Sequence, residues 1–304
     1  MTLPASAERL SSRPLGRLSR RPEAQARMID FAAPFDEIAR DFEAEGIPLD
    51  RPGFYDHPRF KALEEVSSDY LNNYAKYVQH LDLDADYLAR AERIVTAAAS
   101  ALAREIEVDG RERACIDASV SLSRMLDRED IWNYVVKGAL TIVFPRRTKI
   151  PRLYLWPLDD PPVQAGHVWL AAPPLKIVDV TLRDQPYRDR RAASRIPPLI
   201  LAKEACTTVA TLEDLCSPDA ILAAARSGIS PDRILAIALP RLPDLHRDFP
   251  PLAVELDRVR LTYTPVGIAA SDRPLERITS LRLNNRDAFQ IYQDVIRPAI
   301  DEAA

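Results

Sequence analysis

Two adjacent stretches of the chain decide its fold: residues 114–126, ACIDASVSLSRML, and residues 132–144, WNYVVKGALTIVF. In the first, apolar residues recur at helical spacing, which predicts a short helix that begins at Cys115 and runs through Met125. The second is rich in β-branched and aromatic residues and predicts one long strand or two short ones. The chain therefore changes from helix to sheet at this point.

Three more strands are predicted downstream, at residues 153–156 (LYLW), 167–171 (HVWLA) and 175–181 (LKIVDVT). Pro173-Pro174 separates the last two and favours a hairpin connection. One helix that leads into several sequential strands indicates an α+β core with an antiparallel sheet, and not a doubly wound parallel sheet.

The segment before this core, residues 26–108, predicts a helical region. Residues 26–45 favour a helix interrupted at Pro34. Apolar residues from Phe60 to Leu81 recur at steps of three or four, which predicts one amphipathic helix. A further helix is predicted from about residue 84 to a turn at Asp109-Gly110.

The segment after the core, residues 186–304, predicts a C-terminal α/β region that completes or caps the core. In two places Ser-Pro-Asp precedes an apolar run, where serine caps a helix and proline takes its first position. The elements predicted here are a basic loop over 183–200, helices that start at Ser217 and Ser230, a strand over 258–266, and a terminal helix from Asn285 to Ile296.

Residues 1–25 are rich in serine, arginine and proline. This composition predicts a disordered basic tail. A second interpretation is an arm that contacts an anionic surface or carries a targeting signal.

Composition excludes several functional classes. Glycine is scarce, with 8 residues against 26 prolines, and the phosphate-binding patterns G-x-G-x-x-G and G-x-x-x-x-G-K-[ST] are absent. The three cysteines form no C-x-x-C pair, which argues against a structural zinc site, and their low, odd number is typical of a reducing compartment. We therefore expect no cofactor and no metal.

The net charge is −4, so no global positive field favours binding to nucleic acid. No apolar run approaches the roughly 18 residues of a membrane span, and no secretory signal is visible. We expect a cytoplasmic protein without membrane or nucleic-acid partners. The oligomeric state stays open.

Three residues then carry a chemical pattern. Cys115 opens a predicted helix, whose N-terminus stabilises the reactive thiolate form of a cysteine. His167 begins a predicted strand behind a glycine, and Asp179 lies within an apolar run twelve residues later. The chain thus carries a thiol, an imidazole and a carboxylate in this order.

A carboxylate in an apolar strand needs a partner, because burying an unpaired charge is costly. Adjacent antiparallel strands with a short connection bring His167 beside Asp179. Asp179 would then fix one imidazole nitrogen, and the other nitrogen would face Cys115 and exchange its proton.

On these residues the chain resembles the transglutaminase-like superfamily, circularly permuted relatives of papain. The similarity rests on ACIDASVSLSRML, VVKGALTIV, GHVWL and IVDVT, and it covers roughly residues 110–185. It implies a papain-like catalytic core over residues 109–185. Within that core it implies Cys115 as nucleophile, His167 as general base and acid, Asp179 as orienting carboxylate and Trp169 as a substrate-binding residue.

The chain departs from the family pattern at two places. Arg113 and Ala114 replace the usual small residues before the cysteine, and Val180 stands where proline is frequent after the aspartate. For the oxyanion, the backbone N–H of Cys115 is one candidate donor. Asn73 and Gln79 are candidate side-chain donors.

The resemblance implies acyl transfer from an amide bond of a protein or peptide through a thioester on Cys115. Water as acceptor gives a protease or amidase, and an amine acceptor gives a transglutaminase or deamidase. We favour hydrolysis because water needs no second binding site. The alternative is an inactive core that serves as a binding or scaffold module, with the helices of residues 59–106 and the C-terminal region as its partner surface.

Overall fold

The computed structural model describes residues 35–67, 69–159, 166–187 and 189–303. The predicted basic tail over 1–25 and the part of the first predicted helix before residue 35 lie outside the described residues. The helices are α1 (Phe35–Ala44), α2 (Pro58–Val66), α3 (Leu71–His80), α4 (Ala85–Asp109), α5 (Cys115–Arg128), α6 (Arg190–Ala193), α7 (Leu212–Leu215), α8 (Pro218–Arg226), α9 (Pro231–Ala238), α10 (Leu242–Asp248), α11 (Ala288–Ile291) and α12 (Arg297–Ala303).

An antiparallel sheet forms the centre of the fold. Its strands are β1 (Tyr134–Val143), β2 (Leu153–Leu155), β3 (His167–Ala172), β4 (Leu175–Asp179), β5 (Ile200–Ala202), β6 (Cys206–Thr207), β7 (Leu252–Leu256) and β8 (Val259–Ala269). They lie in the order β5-β4-β3-β1-β8-β7-β6, and β2 pairs with the end of β1 beyond β3. Strands β1 to β8 thus share one sheet, which confirms the mixed helix and antiparallel-sheet class.

The longest helix before the sheet, α4, begins and ends at residues that favour helix termini. Asp84 accepts a hydrogen bond from the backbone N–H of Tyr87 at 2.7 Å and caps α4. Gly110, with φ of 74°, ends that helix in the left-handed conformation that glycine adopts without strain. Helix α5 then starts at Cys115, as predicted.

One face of the sheet carries the main apolar core. Helices α4 and α5 pack there against β3 and β4, and the C-terminal helical segment packs on α4. Val168, Leu170 and Val178 point from the strands into this core and are at most 3% exposed. The other residues of β3, beginning with His167 and Trp169, point to the opposite face because side chains alternate along a strand.

The opposite face is covered by α3 and α10, which contact β8. Beside it, an aromatic cluster joins the N-terminal helices to the start of β1 through ring contacts with centroids 4.8–6.2 Å apart. Its members are Phe42, Phe54, Tyr55, Phe60, Tyr74 and Trp132. Among the described residues no helix combines the length and apolar character needed to cross a bilayer.

Two helix predictions are wrong. The single helix over 60–81 is two helices, α2 and α3, because Ser67 is extended with φ of −137° and ends α2. The carbonyl oxygen of Ser67 instead accepts from the backbone N–H of Tyr70 at 2.9 Å. The predicted segment therefore turns a corner instead of running straight.

The terminal helix also differs from its prediction. Asn284 and Asn285, with φ of 50° and 63°, form the two-residue turn between the short strands β9 (Arg282–Leu283) and β10 (Arg286–Asp287). The helix begins only at Ala288, and it continues past Pro298 through a π turn at Tyr292–Ile296. The wider turn accommodates the proline, which has no N–H to donate.

Candidate active site

The N-terminus of α5 places the thiol of Cys115. Ala114 is the N-cap residue, and no side chain caps this end of the helix. One turn later, Ser119 Oγ donates to the carbonyl oxygen of Val168 at 3.1 Å, which holds α5 against the start of β3. Because residues four apart share a helix face, Cys115 lies on the side of α5 that faces the beginning of that strand.

The first strand residue there is His167, and Asp179 ends the next strand. Strands β3 and β4 form the predicted antiparallel hairpin. His167 Nε2–H donates to Asp179 Oδ2 at 2.6 Å, and both side chains are completely buried. The carboxylate only accepts, so this nitrogen carries a proton and the tautomer is fixed.

The carboxylate of Asp179 is saturated with donors. The backbone N–H of Thr181 and its hydroxyl reach Oδ1 at 3.1 and 3.3 Å. The hydroxyl of Tyr263, from β8, donates to Oδ2 at 3.0 Å. This shell compensates the buried negative charge and holds the carboxylate in one orientation.

The imidazole of His167 is poised to be a cation. Burial disfavours its charge, but the carboxylate of Asp179 and, less strongly, the nearby thiol of Cys115 outweigh burial and raise the pKa of His167 to about 10. Its second nitrogen, Nδ1, is buried and has no hydrogen-bond partner among the described residues. The thiol of Cys115 therefore interacts electrostatically with the imidazole of His167 but makes no well-aligned hydrogen bond to it.

Two glycines make this arrangement sterically possible. Gly166, with φ of 73°, precedes His167, and a Cβ there would lie 2.2 Å from the carbonyl oxygen of Gly138. A Cβ on Gly138 itself would lie 2.8 Å from the indole of Trp169. The glycine in VVKGALTIV therefore provides the space over which the Trp169 ring lies.

Trp169 and Tyr263 form a wall beside the histidine. The centroid of each ring lies 6.4 Å from that of the imidazole, and the two rings pack edge to face 5.0 Å apart. Trp169 is 2% exposed. It thus supports the imidazole from the face of the sheet opposite to the apolar core.

An acidic side chain in the first turn of α5 is neutralised. Asp117 pairs with Arg111, which also donates to the carbonyl oxygen of Ser280 at 2.9 Å. Without that partner, a carboxylate two residues from Cys115 would oppose a thiolate. The pair removes this repulsion.

The candidate oxyanion donors have different outcomes. The backbone N–H of Cys115 belongs to the first turn of α5, where amides lack helical partners. Gln79 Nε2 instead donates to the hydroxyl of Tyr134 at 3.0 Å. Neither Gln79 nor Asn73, which is buried in α3, hydrogen-bonds Cys115.

Sequence reasoning missed Thr181 and Tyr263. Thr181 stands two residues after Asp179, and an aspartate side chain often accepts a hydrogen bond from the backbone two residues on, so a signal existed. Tyr263 is one of several alternating residues of β8, and nothing in RLTYT distinguishes it. Only the pairing of β8 with β1 brings it to the site.

Three sets of known proteins were compared with this chain: no family model matches it, no curated protein matches it, and no solved structure matches it. Within the described residues, no three histidine, cysteine, aspartate or glutamate side chains gather in a metal-binding arrangement. The geometry of Cys115, His167 and Asp179 is therefore the basis for inferring a function.

Proposed function

We propose that the protein is a cysteine-dependent acyl-transfer enzyme of the transglutaminase-like type, acting on an amide bond through a thioester on Cys115. One observation carries the proposal. The imidazole of His167 is fixed by Asp179 through one nitrogen and keeps its other nitrogen unpartnered on the side of the thiol. Most buried side-chain polar atoms have a hydrogen-bond partner, so an unpartnered ring nitrogen beside a thiol calls for an explanation.

The proposed reaction starts from a thiolate and an imidazolium. The Cys115 sulfur attacks the amide carbonyl carbon, and a C–S bond forms as the carbonyl oxygen becomes an oxyanion. The C–N bond then breaks, and His167 gives its Nδ1 proton to the leaving amine. The acyl group stays on Cys115 as a thioester, and the imidazole is left neutral.

In the second half, neutral His167 accepts a proton from the acyl acceptor. Water yields a carboxylic acid, and an amine yields a new amide, while the thiolate and the imidazolium return. Asp179 keeps the imidazole in the required tautomer and stabilises its positive charge in both halves. Hydrolysis of a protein or peptide is the simpler form, because water needs no binding site of its own.

The start of α5 is the natural place for the oxyanion. The N–H of Cys115 points out of the first turn without a capping side chain, and the helix dipole favours negative charge there. The Arg111–Asp117 pair removes the opposing charge nearby. Backbone amides therefore supply the oxyanion donor that Gln79, bound to Tyr134, does not.

A second candidate is an inactive core that acts as a binding or scaffold module. Burial favours it, because Cys115 is 8% exposed and His167 is 0% exposed. On this alternative, the His167–Asp179 pair would only stabilise the hairpin of β3 and β4. The two candidates differ in whether Cys115 accepts an acyl group.

An acylation experiment separates them. The protein is mixed with p-nitrophenyl acetate, and p-nitrophenolate release is followed while intact mass and peptide mapping locate any acetyl group. We expect a burst equivalent to one acetyl group per chain, located on Cys115, that is lost in Cys115→Ser and strongly slowed in His167→Gln. Cys206→Ser, which changes an exposed thiol on β6, is the matched control and keeps the burst.

Acetylation of Cys206 alone, or of Cys115 at equal rates in the wild type and His167→Gln, would contradict the enzymatic proposal. It would leave the scaffold candidate.

A further inference from the structure

A cavity of about 670 Å³ lies behind the wall that supports His167. Its volume is within the range of about 300–1,000 Å³ that is typical of small-molecule sites. The lining is dominated by flat apolar groups, as in such sites. These groups are Tyr134, Trp169, Pro173, Pro174, Phe249, Pro250, Tyr263 and Pro265.

The charges around the cavity have an excess of positive sign. Lys176, Arg247 and Asp248 line it. Asp248 is neutralised by Lys76, whose Nζ lies 2.8 Å from Oδ2 of that carboxylate with both groups largely buried. Lys176 is then the one lining cation without an ion-pair partner among the described residues, and Arg247 has only the exposed Asp244.

Neither cation is committed to a strong partner. Lys176 is exposed, and no carboxylate of the described residues pairs with it. Arg247 pairs with Asp244 at 2.7 Å, but both side chains are exposed, and such surface pairs contribute little. A ligand carboxylate between Lys176 and Arg247 would therefore gain charge-assisted hydrogen bonds at small cost.

The cavity also offers a neutral donor. The hydroxyl of Tyr134 accepts a hydrogen bond from Gln79, and its own proton has no acceptor among the described residues. Burial keeps the pKa of Tyr134 well above its ordinary value, so the hydroxyl stays protonated. It would donate to an oxygen atom of a bound molecule.

We infer that this cavity binds a small, planar aromatic carboxylate. The aromatic plane would pack on the rings and prolines of the lining, and the carboxylate would pair with Lys176 and Arg247. Aromatic rings prefer stacked or edge-to-face contacts with such walls, and the charge pairing gives the ligand one orientation.

Two residues of the cavity wall connect it to the candidate active site. Tyr263 lines the cavity and donates to Asp179, while Trp169 lines it and packs against His167. A ligand that presses on these rings changes how firmly the His167–Asp179 pair is held. Occupancy of the cavity would therefore change the reactivity of Cys115, a consequence that rests on the proposed function.

Binding is tested first and without any enzymatic readout. Isothermal titration of the full chain compares 2-naphthoate with the neutral analogue 2-naphthylmethanol. We expect 2-naphthoate to bind at least about tenfold more tightly, and the double variant Lys176→Gln/Arg247→Gln to remove this preference. Lys149→Gln, an exposed cation on the turn before β2, is the matched control and keeps it. Equal affinity for the two compounds, or an unchanged preference in the double variant, would overturn the assignment.

The link to the active site is tested on the same samples. Saturating 2-naphthoate is expected to change the rate of iodoacetamide labelling of Cys115 at least twofold, with no change at Cys206. Binding with an unchanged Cys115 rate would overturn the regulatory link. Binding to a protein whose Cys115 does not acylate would contradict the proposed function and support the carboxylate site alone.

Discussion

The two ends of α5 hold similar sets of buried polar groups. They differ because only the N-terminal set has an unpartnered histidine nitrogen beside a thiol. At the N-terminal end, Asp179 binds a histidine and a tyrosine hydroxyl next to Cys115. At the C-terminal end, Asp127 binds Arg124 at 3.3 Å and the hydroxyl of Tyr55 at 3.0 Å. Each end is a buried carboxylate with a positive partner and a phenol.

The C-terminal set connects separate parts of the chain. Asn133 Nδ2 donates to Asp127 at 3.0 Å, and Arg124 reaches the carbonyl oxygen of Ser271 at 2.9 Å. The guanidinium also lies 4.5 Å from the ring centre of Tyr55. These contacts tie the loop before α2, the helix α5 and the end of β8 together, which is a structural role.

The comparison shows that burial and donor number alone do not mark a reactive site. Arg124 Nε, Asn133 Oδ1 and His167 Nδ1 are all buried without hydrogen-bond partners among the described residues. Only His167 Nδ1 belongs to a ring whose pKa a neighbouring thiol helps to raise. Cys206 lies on β6, and Cys216 is the C-cap residue of α7.

The largest expected effect is on the rate of Cys115 acetylation, which distinguishes Asp179 from Asp127. Asp179→Asn removes the acceptor that fixes the His167 tautomer, so we expect the rate of Cys115 acetylation to fall by about 10²-fold or more. Asp127→Asn, at the other end of the same helix, should leave this rate unchanged. Both variants lose stability, by about 3–5 kcal/mol for Asp179→Asn, because a partner of a buried pair is lost.

Rates are therefore measured on protein whose circular dichroism shows it folded, with p-nitrophenyl acetate as the substrate. Equal loss of rate in Asp127→Asn and Asp179→Asn would remove the distinction between the two ends.

The pH dependence of stability should also distinguish them. Burial, only partly offset by Arg124, raises the pKa of Asp127 from 3.8 to about 6, so folding takes up a proton between these values. The free energy of unfolding should therefore fall as the pH rises from about 4 to 6, by up to about 3 kcal/mol. Asp127→Asn should flatten this part of the curve.

At the other end, the pKa of His167 is raised from 6.5 to about 10, mainly by Asp179 acting against burial. Its stabilising contribution is complete below about pH 6.5 and is lost as the pH rises toward 10. His167→Gln should flatten that higher window and leave the lower one intact. Urea unfolding at a series of pH values measures the free energy of unfolding in both pH ranges. If His167→Gln flattened the range from about pH 4 to 6, or Asp127→Asn flattened the range above pH 6.5, these pH dependences would be assigned to the wrong residues.

The smallest expected effect concerns Tyr263. Burial, together with the adjacent carboxylate of Asp179, raises its pKa, so the hydroxyl remains a donor. Tyr263→Phe removes one of several hydrogen bonds to Asp179 and should destabilise the fold by about 1–3 kcal/mol. Acetylation of Cys115 should slow less than in Asp179→Asn. A Tyr263→Phe variant as slow as Asp179→Asn would show that the hydroxyl, and not the carboxylate, holds the histidine.

Much of the N-terminal end of α5 could be predicted from the sequence because its signals are local. Cys115 opens a helix, and His167 and Asp179 lie on one hairpin. Patterns within a few residues of each position were therefore enough to predict these elements. Tyr263 could not be predicted, since its position depends on β8 pairing with β1 across more than a hundred residues. The strand β7 and the Asn284-Asn285 turn were missed because their signals are short and depend on tertiary pairing.

We propose that His167 activates the thiol of Cys115, and thiol labelling at pH 6 is the sharpest test of this proposal. An ordinary thiol, with a pKa of about 8.5, is only about 0.3% thiolate at that pH. Iodoacetamide labelling, followed by peptide mass spectrometry, compares Cys115 with the exposed Cys206 in the same molecule. We expect that Cys115, although 8% exposed, reacts faster than Cys206 and loses this advantage in His167→Gln. Labelling of Cys115 no faster than of Cys206, or no slower in His167→Gln, would contradict it.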